Sequence, residues 1–80
     1  MAVLRLFAAA RTAAGTSRVE IPGQSVDEVV NAAVARFGDE FESVVETCAI
    51  WLNGEPAPLS TAVSATDEVA LLPPVSGGEQ

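Results

Sequence analysis

Eighty residues, 49% of them apolar, carry 11 acids against four arginines and no lysine or histidine, for a formal net charge of −7. That is the size of one small domain with a core of its own, and its charge repels phosphate backbones, which argues against nucleic-acid binding. One cysteine and no histidine exclude an internal disulfide, a metal site of the usual Cys/His kind and histidine-based acid–base or triad chemistry.

Val3 to Phe7 reads as a strand, with Leu4 and Leu6 on one face and Val3, Arg5 and Phe7 on the other. The alanine-rich run Ala8 to Ala14 fits a short helix stopped by Gly15. Arg18 to Ile21 is a second strand closed by Pro22-Gly23. Ser25 with Glu28 forms a capping box, and Val26, Val29, Val30, Ala33, Val34 and Phe37 then make one apolar stripe at helical period, up to Gly38. A shorter helical pattern follows around Phe41, Val44 and Val45. Cys48 to Leu52 reads as a strand, turned by Asn53-Gly54 into a short partner at 55–57, where Pro56 suits only an edge. Residues 59–66 read as irregular. Val69 to Leu72 is the last strand, stopped by Pro73-Pro74, and Val75 to Gln80 is expected to be a mobile tail.

The valine stripe of the main helix would cover a sheet face made by Leu4, Leu6, Val19, Ile21, Ile50, Leu52, Val69 and Leu71. This is an α+β roll, a mixed sheet of about five strands with one main helix on one face and short additional helices. Right-handed connection would bring the first and last strands together in mid-sheet. The expected division is a domain over 1–74 and a tail over 75–80. No apolar run reaches the roughly 18 residues of a membrane span, and the N-terminus lacks a signal-peptide pattern. The cytoplasm is therefore the expected compartment, with no membrane partner.

The run Asp67-Glu68-Val69-Ala70-Leu71-Leu72-Pro73-Pro74-Val75-Ser76-Gly77-Gly78 resembles the end of the molybdopterin synthase small subunit. That is the MoaD-like branch of the MoaD/ThiS sulfur carriers. The opening Val3-Leu4-Arg5-Leu6-Phe7-Ala8 and the strand ending in Leu52-Asn53-Gly54 are similar to the same family. The thiamine-pathway carriers share Gly-Gly but usually lack the Pro-Pro-Val-Ser lead, which favours the molybdenum-cofactor branch.

The resemblance implies the ubiquitin-like β-grasp fold and a specific chemistry. The carboxyl of Gly78, presented with Gly77, would be adenylated by an ATP-using activator like MoeB and converted to a thiocarboxylate. The sulfur would pass to a MoaE-like large subunit for molybdenum cofactor synthesis. The chain itself would bind no cofactor and catalyse nothing alone; it would be the carrier subunit of a sulfurtransferase complex. Glycines suit a tail that must thread narrow active sites, and Val75 to Gly78 reach about 13 Å when extended.

Docking is expected through Phe7, Leu72, Pro73, Pro74, Val75 and Ser76, with Trp51 in an apolar patch opposite the helix. Arg11 could meet a partner acid, although it also reads as an ordinary solvated side chain. Cys48, next to acidic surroundings, reads as packing rather than as a persulfide carrier. The family usually ends at Gly-Gly, whereas this chain continues with Glu79-Gln80. Carrier chemistry would need those residues trimmed by a protease. Alternatives are a carrier serving thiamine, cysteine or another thio-metabolite, and a β-grasp binding module without sulfur chemistry.

Overall fold

The computed structural model describes residues 1–73. Of the expected docking and carrier residues, Pro74, Val75, Ser76, Gly77 and Gly78 lie outside that range, as does the expected tail.

Strand β1 (Ala2–Leu6) buries Ala2, Leu4 and Leu6 and turns Val3 and Arg5 to the other face. It begins one residue earlier than the sequence pattern implies and stops before Phe7. The reason is helix α1 (Ala8–Ala14): Phe7 is its N-cap, in extended conformation, and the Phe7 carbonyl accepts from the amides of Ala10 and Arg11. Gly15, left-handed at φ 78°, ends α1 with its amide on the Arg11 carbonyl. Strand β2 (Arg18–Ile21) returns antiparallel to β1, Leu4 opposite Val19.

Helix α2 (Val26–Phe37) starts where the capping pattern places it. Ser25 Oγ accepts from the Glu28 amide at 3.2 Å, and Glu28 Oε1 accepts from the Gln24 amide at 2.8 Å. The carboxylate thus reaches one residue further back than in the usual reciprocal pair, which ends on the cap residue itself. Val26, Val29, Val30 and Ala33 are buried, with Val34 and Phe37 at the margin. Helix α3 (Asp39–Val45) inserts Phe41, the largest fully buried side chain, whose ring centre lies 5.1 Å from that of Phe37.

Strand β3 (Ala49–Leu52) and the two-residue β4 (Glu55–Pro56) form the Asn-Gly hairpin. Asn53 and Gly54 both take positive φ, 52° and 86°, as the favoured two-residue turn demands. Proline at the β4 edge leaves no ladder donor missing in mid-sheet. Strand β5 (Glu68–Leu72) then enters the centre, parallel to β1 and antiparallel to β3, in the order β2-β1-β5-β3-β4. The first and last strands are therefore neighbours in mid-sheet.

Of the sheet residues expected in the core, Leu4, Leu6, Ile21, Val69 and Leu71 are fully buried. Val19, Ile50 and Leu52 pack around them half-buried. Among the described residues no helix is long and apolar enough to cross a membrane.

Candidate functional site: the open sheet face beside the exit of β5

Alternation along the strands decides what each sheet face carries. Leu4, Leu6, Val69 and Leu71 point toward α2 and are buried, so their neighbours point away. The register aligns Arg18, Arg5, Ala70, Trp51 and Pro56 in one row across all five strands on that outer face. One step toward the exit of β5, Leu72 pairs with Ala49, and Phe7 follows Leu6 at the same end. Toward the opposite end Val3 sits between Glu20 and Glu68.

The structure therefore places Leu72 and Trp51 on one face, both half-buried, with Phe7 at its edge, 37% exposed, and Pro73 exposed where the chain leaves the sheet. The sequence pattern does not reveal the polar flank of this surface. Arg5 Nη1 donates to Glu68 Oε2 at 3.1 Å, and its guanidinium carbon lies 5.8 Å from the Phe7 ring centre. Arg18 stands directly across from Arg5. Two arginines of a strongly acidic protein thus occupy the β2–β1 side of this face, with Phe7 at its edge and Leu72, Trp51 and Pro56 on the β5–β3–β4 side. The parity of Arg5 against Leu4 and Leu6 was visible in the sequence. Its pairing with Arg18 depends on a register set across the whole of α1.

The turn into β5 is held by a side-chain network. Asn53 Nδ2 donates to Asp67 Oδ1 at 3.1 Å, the Ser64 amide donates to Asp67 Oδ2 at 2.8 Å, and the Glu68 amide donates to Asn53 Oδ1 at 2.9 Å. The Ser64 amide and the Asn53 side chain hold the Asp67 carboxyl below its ordinary pKa. This locks the entry of the strand that ends at Leu72.

Arg11 is exposed on α1, away from the row. Cys48 lies just before β3, half-buried on the helix side, its Sγ donating to the Val44 carbonyl at 3.3 Å. Burial pushes its thiol pKa up, partly opposed by the Thr47 hydroxyl. Among the described residues no cluster of three or more His, Cys, Asp or Glu is gathered as metal ligands. The arrangement is an open sheet face beside the point where the chain leaves β5.

The chain matches the model of the ThiS family over residues 4–78. It is 40% identical to small archaeal modifier protein 1 of Haloferax volcanii, covering 92% of this chain and 97% of that protein. The solution structure of small archaeal modifier protein 1 from Methanosarcina acetivorans superposes with a TM-score of 0.86 at 27% identity, covering 96% of this chain and 95% of that one. Subunits 1 and 2 of the molybdopterin-converting factor of Helicobacter pylori form a protein–protein complex, one chain of which superposes with a TM-score of 0.68 at 26% identity, over 96% of this chain and 97% of that one. With its five-stranded β-grasp sheet and a match that runs from β1 through Gly78, the chain belongs to the ThiS family, among the ubiquitin-like sulfur carriers of the ThiS/MoaD type.

Proposed function

We propose that the protein carries sulfur on the carboxyl of Gly78 and delivers it to a molybdopterin synthase large subunit of the MoaE type. One observation supports this above the others: the family match ends on Gly78 and leaves Glu79-Gln80 outside it. A protease first removes the residues beyond Gly78 and frees its carboxylate. An activator of the MoeB type uses ATP to form the acyl-adenylate and releases pyrophosphate. A sulfide-level nucleophile then displaces AMP and leaves the thiocarboxylate. The carrier holds its reagent covalently, so docking alone brings sulfur and acceptor together. The face around Arg5, Trp51 and Leu72 is the docking surface in this reading, and the complex of the two Helicobacter pylori subunits is a structural precedent for such an assembly.

A second reading draws on the 40% identical modifier protein. The same activated Gly78 would be joined to an amine of another protein. With no lysine, this chain offers no side-chain acceptor and would act as donor.

The test is intact-mass analysis of chains ending at Gly78 and at Gln80, each incubated with activator, ATP and a sulfur source. Sulfur in place of one oxygen on the shorter chain only, followed by its loss when large subunit and precursor pterin are added, is the expected result. A thiocarboxylate that survives that addition but is consumed on a protein amine would favour the modifier reading. A shorter chain that takes up neither AMP nor sulfur would refute both.

A further inference from the structure

A groove of about 350 Å³ opens on the side of the molecule away from the sheet face. Its floor is Val30 and Val34 of α2, Val45 of α3 and Ile50 of β3, and Leu59 forms one lip, 47% exposed. Asp27, Glu42 and Glu46 stand around it, and no lysine or arginine lines it. Arg5–Glu68 is the one ion pair among the described residues, so none of these three carboxylates has a cationic partner there. Asp27 accepts from Asn31 Nδ2 at 3.3 Å.

The lip is built in. The Asp27 amide donates to the Leu59 carbonyl and the Val26 amide to the Thr61 carbonyl, both at 2.9 Å, while the Val63 amide donates to the Gln24 carbonyl at 3.0 Å. These bonds fasten residues 59–63 to the start of α2, so Leu59 flanks the groove without rearrangement. The alternation of β3 separates this surface from the other: Ile50 lines the groove and Trp51 faces outward on the sheet.

We propose that this groove is a second docking surface, for a protein segment that presents an aliphatic side chain next to lysine or arginine. An apolar floor under an acidic rim matches a side chain whose stem is aliphatic and whose head is cationic. It disfavours an acidic segment through like charge. A second copy of this chain is a poor occupant, because it brings a net charge of −7 and no lysine. Since the groove and the row around Arg5 and Trp51 lie on opposite sides of the sheet, a partner held here leaves the sheet face and the exit of β5 open to another. The inference does not depend on sulfur chemistry at Gly78.

The probe is a short amphipathic leucine/lysine peptide, titrated into the isotope-labelled full chain and followed by amide chemical shifts. Shifts are expected at Val30, Val34, Glu42, Glu46 and Ile50, and the peptide with glutamate in place of lysine should not bind. The Glu42→Gln/Glu46→Gln variant should bind roughly fivefold or more weakly, and Leu59→Ser should also weaken binding. Asp39→Asn/Glu40→Gln, which removes two acids of α3 that do not line the groove, should bind as the parent does. Equal losses in the two charge-neutralised variants would show diffuse attraction to an acidic surface and overturn the proposal. So would shifts centred on Arg5 and Trp51, or unchanged binding in Glu42→Gln/Glu46→Gln.

Discussion

Arg5 Nη1 meets Glu68 Oε2 at 3.1 Å across the parallel β1–β5 pair, one step diagonal to the register that sets Arg5 against Ala70. The two side chains are 41% and 46% exposed, so water screens the pair and its net contribution is about 0.2–1 kcal/mol. Glu68→Gln should therefore lower the unfolding free energy by no more than about 1 kcal/mol, and by less in high salt. Leu71→Ala, on the same strand but facing the core, should cost about 2–5 kcal/mol. Urea unfolding at low and high salt separates them. A loss of several kcal/mol in Glu68→Gln would mean that the ion pair organises the central strands, which its exposure argues against.

Gly23 lies in the turn between β2 and α2, against the first buried turn of the helix. A Cβ there would stand 2.8 Å from both Val29 Cγ2 and the Val29 amide nitrogen. Val29 is fully buried and cannot swing aside. Gly23→Ala should thus destabilise by about 1–3 kcal/mol through overpacking. Because half the clash is with backbone, Val29→Ala should relieve only part of it. The double variant should lose less than the sum of the two single ones, and a denaturation double-mutant cycle measures that coupling. Strict additivity would show that the turn yields elsewhere.

Much of this architecture could be read from spacing alone. Leu4 with Leu6, the stripe from Val26 to Phe37 and the Asn53-Gly54 turn each signal one element through one local rule. The central pairing of β1 with β5 rests more on the family resemblance than on any local rule. The features that escaped depend on contacts distant in sequence. Phe7 continues the alternation of β1, and only the start of α1 turns it into a cap. Glu28 reaches Gln24 instead of the amide of Ser25, a choice of one residue that no spacing rule makes. The groove has its Leu59 lip because the 59–63 segment is fastened to the start of α2, and nothing in an irregular stretch announces where it will be tied. Arg5 beside Arg18 is likewise a product of register.

Asp67 gives the fold a pH dependence of known sign. Donors from Ser64 and Asn53 favour its charged form, so its folded pKa lies below the unfolded value. The unfolded chain then binds more protons in the acid range. The stabilisation is complete above the unfolded value of about 3.9 and disappears as pH falls through the folded one. Thermal unfolding of the parent should show a melting temperature that declines as acidity enters that window. Asp67→Asn should be less stable than the parent near neutral pH and should show a shallower acid decline, the two curves converging at low pH. Parallel curves would show that other carboxylates carry the acid sensitivity.

Cys48 provides the last discriminating measurement, because a sulfur relay through a side chain would need a thiolate at neutral pH. Burial raises this thiol, and its Sγ is engaged with the Val44 carbonyl at 3.3 Å. Alkylation by iodoacetamide at neutral pH should therefore run more slowly than for a free small thiol and should accelerate as pH rises. The Thr47 hydroxyl opposes the shift, so Thr47→Val should slow the reaction further. If the groove is occupied by a basic amphipathic peptide, Cys48, which lines it, should be shielded. Fast alkylation at neutral pH would make Cys48 a candidate sulfur acceptor, against its reading as a packing residue. Slow alkylation, with thiocarboxylate formation intact in Cys48→Ser, would leave the glycyl carboxyl as the atom that carries sulfur.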